Sequence, residues 1–436
     1  MGGGLRYLTW FIAAVSVLFP VLALTVRGAA NTCFFLIALC GILAIACRLR
    51  GAGLSFSEMC RNYWPLNLAM AGMFVAILLN QIATGHFSAR EYDASLRLLL
   101  FPLVFWALLI VPAATDKYLE WGLSAGALFA FAKMFWLIQT GVDRLWIGGF
   151  ISIIPYAEMA MMLGVFAAFS IGGDEDLSPW FAVPKILALL AGLSGAYLSQ
   201  TRGAWLAIPA MLVISLLGWR MRQRQKLMVV SAVFAALGLM LCFGNIGQQR
   251  VVEAQSDIAA YMHGQNRDTS IGLRFQMWHA SWLIFGQHPL FGAGREVVPK
   301  MLDGLAARNI ISRDAARNGQ GHTHNEILYN LASLGLFGLM SLLLTYFVPA
   351  WYFYRAGRET DRKIRCAGRM GLALCLGFFV FGLTDVQFLW GHCNTFYSMH
   401  AALFVACIVR RQAALRDART HEIGNLPVSA NNTFAS

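Results

Sequence analysis

The sequence predicts an all-α integral membrane protein with about twelve transmembrane helices, and three observations carry that reading. Hydrophobic residues make up 58% of the 436 and charged residues 13%, with a mean hydropathy of +0.59, far too apolar for a water-soluble domain. Apolar runs of bilayer-crossing length recur along the chain. Clusters of Arg and Lys alternate between those runs so that they fall on one side of the membrane.

In order, the expected spans cover about 8–26, 31–47, 64–83, 94–112, 118–138 and 151–171, then about 182–200, 203–218, 227–243, 326–348, 366–386 and 393–409. The first has only Arg6 ahead of it and no small-x-small cleavage site behind it, so it reads as a span and not as a removable signal. Arg48, Arg50 and Arg61, then Arg220, Arg222, Arg224 and Lys226, then the run from Arg355 to Arg369, and finally Arg410, Arg411, Arg416 and Arg419 all share a side. Basic residues near helix ends are retained in the cytoplasm, which places both termini there. The net charge of +12 therefore reads as a topology signal and an affinity for anionic membrane lipids; it does not call for nucleic acid.

This topology divides the chain into spans 1–9 over residues 1–243, one long loop over 244–325 between helices 9 and 10, spans 10–12 over 326–410, and a cytoplasmic tail over 411–436. The long loop lies on the outer side, contains helix-forming apolar stretches and is expected to be partly helical and to carry the function. The tail, with Pro427 and Asn431-Asn432-Thr433, suggests no task. Nine cysteines lie mostly within or beside spans, as Cys33, Cys40, Cys47, Cys375 and Cys407 do, so neither a disulfide framework nor a Cys-based metal site is implied. Walker and dinucleotide fingerprints are absent, and no cofactor is expected.

Three constellations on the outer side carry chemistry. His322-Thr323-His324-Asn325 closes the long loop and opens into an apolar run, holding imidazoles at the membrane surface where they can move protons near neutral pH. Thr323-x-x-Glu326 matches a capping box, which would put Thr323 at the N-cap and His324 in the first helical turn. Exposed amides there disfavour a protonated ring and suit a general base. Simple hydrogen bonding to loop carbonyls is the plainer reading. A metal ligated by the two histidines lacks a third ligand nearby in sequence.

Arginine supplies the second constellation. Gln200-Thr201-Arg202-Gly203 forms a short outer turn between two spans, where Arg202 could meet a lipid phosphate or a lipid diphosphate. In the long loop, Gly272-Leu273-Arg274 begins an amphipathic helix that runs toward Gly286, with Arg274, Trp278, Ser281 and Phe285 on one face. Such a helix could equally rest on lipid headgroups. The third constellation, His288-Pro289-Leu290-Phe291-Gly292-Ala293-Gly294-Arg295, has glycines that permit tight turns.

As an ordered set, Thr201-Arg202-Gly203, Gly272-x-Arg274 through Trp278, His288-Pro289 to Gly294 and His322-x-His324-Asn325 resemble the O-antigen ligase and polymerase superfamily, and within it the ligase branch. The resemblance covers roughly residues 190–400 by motif and the whole chain by topology. It implies a membrane-embedded glycosyltransferase of GT-C architecture in the bacterial inner membrane, with its active site facing the periplasm. An undecaprenyl diphosphate-linked glycan would be the donor and lipid A core oligosaccharide the acceptor. His324 would then be the general base and Arg202 and Arg274 the diphosphate-binding residues. His322, Asp385 and Arg295 would be further substrate contacts. Asp385 could instead be a helix-terminal carboxylate in water or paired with a cation.

No pair of carboxylates suited to a divalent metal is evident on the outer side, since Asp174-Glu175-Asp176 falls in the cytoplasm, so the expected reaction is metal-independent. With one base and no evident carboxylate nucleophile, direct displacement with inversion is the simpler course. Competing readings are a polymerase or a protein oligosaccharyltransferase of the same superfamily. From a different class comes a multi-pass transporter, which Lys133 in an apolar span would permit.

Overall fold

The computed structural model describes residues 3–173, 179–217 and 245–424. Its α-helices are α1 (Gly3–Thr25), α2 (Ala29–Ala46), α3 (Phe56–Asn62), α4 (Trp64–Thr84), α5 (Tyr92–Leu99), α6 (Phe101–Leu109), α7 (Asp116–Gln139), α8 (Ile153–Ser170), α9 (Pro179–Leu198) and α10 (Arg202–Leu217). They continue as α11 (Asn245–Met262), α12 (Ser270–Gln287), α13 (Val298–Ala307), α14 (Arg313–Gly319), α15 (Glu326–Ala356), α16 (Arg362–Gly382) and α17 (Gly391–Gly424). The described residues contain no strand, only the isolated bridge between Gly51 and Leu54.

Among the described residues, ten helical segments are long and apolar enough to cross a membrane, and they correspond to the first seven and last three expected spans. This is a multi-pass membrane protein. The eighth expected span is a shorter apolar helix, Gly203–Ile214, and the ninth, 227–243, lies outside the described residues, as do Arg220, Arg222, Arg224, Lys226 and Asp174-Glu175-Asp176. The fourth span is two helices, α5 and α6, broken at Leu100 just ahead of Pro102, whose ring cannot continue a helical hydrogen-bond ladder.

Residues 245–325 fold into four helices. Ala280, Ile284, Val298, Leu302, Ile311 and Ala315 form a small apolar core of their own, which Ala332 of α15 joins. Through it α12 packs on α15, while α10 packs on α16 and α8, so the starts of α10 and α15 and the end of α16 converge.

Helix α15 is broken internally at Gly335, where φ is 64° and ψ is −155°. The 288–294 turn inserts into that break. Ala293 and Gly294 donate their N–H groups to the Ala332 and Ser333 carbonyls, both at 2.9 Å, and Pro289 O accepts from Leu336 N at 2.8 Å. Asn80 of α4 donates to Phe291 O at 2.7 Å and Ser333 O at 3.2 Å, closing the junction. Backbone polar groups within a bilayer must be satisfied by protein, and this turn supplies what the helix lacks at its break.

Candidate functional site

The expected capping box is not formed. Asn325, at φ −156° and ψ 116°, is the N-cap of α15, and its side chain accepts from Leu328 N at 3.0 Å. His324 precedes the helix in a left-handed conformation (φ 52°) and does not lie in the first turn. Asparagine caps a helix at least as well as threonine, and Glu326 is committed elsewhere, which explains the shift. The argument that helix amides act on the His324 ring falls with it.

What replaces that argument is a carboxylate. Asp385, on the connection between α16 and α17, presents Oδ1 to His322 Nε2 at 3.4 Å and to His324 Nδ1 at 3.5 Å. These are electrostatic contacts at the long end of hydrogen bonding. The two rings meet edge to face at 4.4 Å, and Trp278 Nε1 fixes the turn between them by donating to Thr323 O at 3.1 Å. The His324 side chain is 26% exposed against 16% for His322 and 5% for Asp385, so His324 has the freest approach to a substrate.

Charge follows from this packing. Burial pushes the Asp385 carboxyl up, but the His324 and His322 imidazoles and the Val386 N–H outweigh it and hold the group below its ordinary range. Burial lowers the His322 pKa; Asp385 opposes that, while His324 and Arg274 add to it. Arg274 is thus within electrostatic reach of His322.

Arg202 opens α10, and its side chain lies outside the described residues. Its neighbour Gly203 shows where that helix start sits. A Cβ at 203 would lie 2.4 Å from Thr384 Oγ1 and 2.6 Å from Glu158 Oε1, so only glycine lets α10 approach the Asp385 connection. Arg144 ties down the preceding turn, donating from Nε to Ser199 O at 2.9 Å. Arg295 is placed differently. It is 9% exposed and acts electrostatically on Glu91 and Tyr329, beside the turn that patches α15.

Glu326, Glu158 and Asn325 hold the Asp385 connection in place; the sequence reading names Glu326 and Asn325 only as parts of the helix-start motifs and does not single out Glu158. Glu326 Oε1 accepts from Phe388 N at 2.6 Å, while its Oε2 accepts from Tyr346 Oη at 2.5 Å. Glu158 Oε2 accepts from Gln387 Nε2 at 2.9 Å, and Asn325 Nδ2 donates to Leu383 O at 3.3 Å. Glu158 and Glu326 are fully buried, on α8 and α15. The search for paired outer carboxylates missed them because they come together only in space. The usable signal was a glutamate inside an apolar run, which is costly unless hydrogen-bonded.

Ligand atoms of His322, His324 and Asp385 all lie within 4.8 Å of one another, close enough for one cation. The third ligand that the H-x-H spacing lacked in sequence is therefore supplied by the fold. Lys133, which left a transporter open, donates to Leu24 O at 2.9 Å and Gly148 O at 3.3 Å and sits 4.1 Å from the Phe150 ring centre. Its charge is engaged in tying chain segments together.

Comparison with known proteins finds similarity over part of the chain. The family described as O-antigen ligase matches residues 187–343. An O-antigen ligase of Escherichia coli K12 is 27% identical over 232 residues, 53% of this chain and 52% of that protein. An uncharacterized protein of Haemophilus influenzae Rd is 25% identical over 222 residues, 50% of this chain and 54% of that protein. The chain thus spans about half the length of the curated relatives it matches. The segment that carries Arg202, Arg274, His322 and His324 is thus similar to the O-antigen ligase family.

Proposed function

We propose that this protein is an O-antigen ligase, which transfers a glycan from undecaprenyl diphosphate to a sugar hydroxyl of lipid A core oligosaccharide at the periplasmic face of the inner membrane. The observation that carries the reading is the meeting of His322, His324 and Asp385 at one end of the bundle, beside Arg274 and the start of α10. His324 takes the proton of the acceptor hydroxyl as that oxygen attacks the anomeric carbon. The bond from that carbon to the diphosphate oxygen breaks on the opposite face, and its electron pair leaves with the prenyl diphosphate. The product is inverted at that carbon.

Arg202 and Arg274 hold the diphosphate, since a planar guanidinium matches phosphate oxygens in pairs and stabilises the charge that grows on the leaving group. Asp385 orients the imidazoles and balances the charge that His324 acquires. The activated diphosphate linkage supplies the driving force, so no nucleotide is consumed. The trio is read as a proton-handling group, with the reaction independent of metal.

The test is a reconstituted assay with purified protein, prenyl diphosphate-linked glycan and lipid A core acceptor in liposomes without an ion gradient. Ligated product supports the reading, and translocation of donor without product refutes it. In cells, loss of the protein should leave long polymer on its prenyl carrier and the core uncapped. Single repeats on the core would instead assign a polymerase.

A further inference from the structure

We infer that Trp390 is a binding platform for the acceptor saccharide, a reading that rests on the ligase function proposed above. The connection from Leu383 to Trp390 carries Asp385 and is mostly interior: Val386, Gln387 and Phe388 are each 1% exposed. Trp390 closes the same connection and is 36% exposed. The most open position of this buried stretch is thus its largest aromatic ring.

Position gives that ring its meaning. The indole stands 5.8 Å from the His322 ring at 87°, and His322 in turn meets His324 at 4.4 Å. On another side His392 lies nearly parallel to it, 6.3 Å away with planes 14° apart. The backbone is also fixed, since Trp390 N donates to Gln387 O at 3.2 Å and its carbonyl accepts from Asn394 Nδ2 at 2.8 Å. Rigid aromatic rings give contact area at little entropic cost.

A pyranose ring is amphipathic. Its hydroxyls point outward around the rim, while one face presents a cluster of C–H bonds that packs well on an electron-rich indole. An acceptor whose hydroxyl reaches His324 brings its own ring beside His322 and Trp390. The indole would then take the apolar face and leave the rim hydroxyls to His324 and its polar neighbours. Several other exposed tryptophans have the surroundings of interfacial anchors. Trp180 (85%), Trp351 (58%) and Trp10 (57%) stand on helices of membrane-spanning length, whereas Trp390 contacts the His322 ring.

The experiment is initial-rate kinetics of wild type, Trp390→Phe and Trp390→Ala in the reconstituted assay, with acceptor and donor varied in turn. The acceptor KM should rise about tenfold in Trp390→Ala and less in Trp390→Phe, which keeps an aromatic face, while kcat and the donor KM stay within about twofold. A fall in kcat at unchanged acceptor KM, with a shifted rate–pH profile, would make Trp390 a positioning residue for His322 and overturn the platform. Unchanged kinetics in both variants would overturn it too. Wild-type protein that forms no product would overturn the ligase reading beneath it, a failure visible before any variant is compared. Monodisperse elution of both variants in detergent, with Phe as the conservative control, separates a binding defect from misfolding.

Discussion

Two turns engage helix α15, one at its first residue and one at its break, and they put similar residues to different uses. The His322–Asn325 turn enters the helix through an asparagine cap and leaves its imidazoles facing Asp385, partly open. The Pro289–Gly294 turn threads into the break at Gly335 and spends its backbone groups on the helix, while Arg295 behind it is buried near Glu91 and Tyr329. Histidine, glycine and arginine in a motif therefore do not define a site by themselves. What separates the two turns is whether polar atoms are consumed by backbone or left pointed at a shared space.

Predictions that break this contrast can be ranked by size. The largest is His324→Ala, which should lower ligation by a factor of about 10² to 10⁴ with folding intact, read as product in the reconstituted assay. Near-normal capping of lipid A core by that variant would remove His324 from the chemistry. At the other turn, Gly292→Ala should damage folding instead. Its Cβ would sit 2.3 Å from Leu334 N, and φ is 73° there, so the yield of monodisperse protein should collapse. Normal yield with lost ligation would mean the turn is catalytic after all.

Glu326 offers a finer cut between chemistry and support. Glu326→Leu leaves the Phe388 N–H without its partner, at about 1–3 kcal/mol, and releases the Asp385 connection, while the Tyr346 hydroxyl keeps the Phe378 carbonyl at 3.2 Å. Transfer should drop severalfold or more. Glu326→Gln keeps one acceptor for Phe388 and can donate to Tyr346, so it should recover most of the rate. Equal losses in both variants would indicate that the charge itself matters. Lys133→Met should cost about 1–2 kcal/mol of stability, seen as a lower apparent Tm, with transfer retained.

The smallest effect concerns pH. His322 binds a proton less readily in the folded protein than at its ordinary value of 6.5, so the unfolded chain holds more protons as the pH drops through that value. Stability contributed by the neutral ring is complete above about 6.5 and is lost on acidification below it. The apparent Tm should therefore fall from pH 7.5 to 5.5, and His322→Gln should flatten that slope. An unchanged slope in the variant would show that other groups dominate it.

Much of this fold was written locally. Long apolar runs, each a helix by virtue of its own internal hydrogen bonds, marked ten of the spans, and Asn325, Gly203 and Trp278 sit where motif and structure agree on importance. The missing parts were non-local. Asp385 stands 61 positions beyond His324, as their numbering shows, and nothing at either position announces the other. Glu158 goes unremarked in an apolar run and Glu326 reads only as a capping-box residue, because their partners Gln387 and Phe388 are brought to them by the fold. The capping box failed because two overlapping caps were available, and the buried partners of Glu326 favoured Asn325.

One reading of the trio treats it as a seat for a proton and the other as a seat for a cation. Glycan transfer by purified protein, after exhaustive dialysis against EDTA, separates them most directly. The account predicts undiminished product in chelator and no stimulation when divalent cations return. Activity abolished by EDTA and restored by a divalent cation would contradict it, and would assign His322, His324 and Asp385 to that ion.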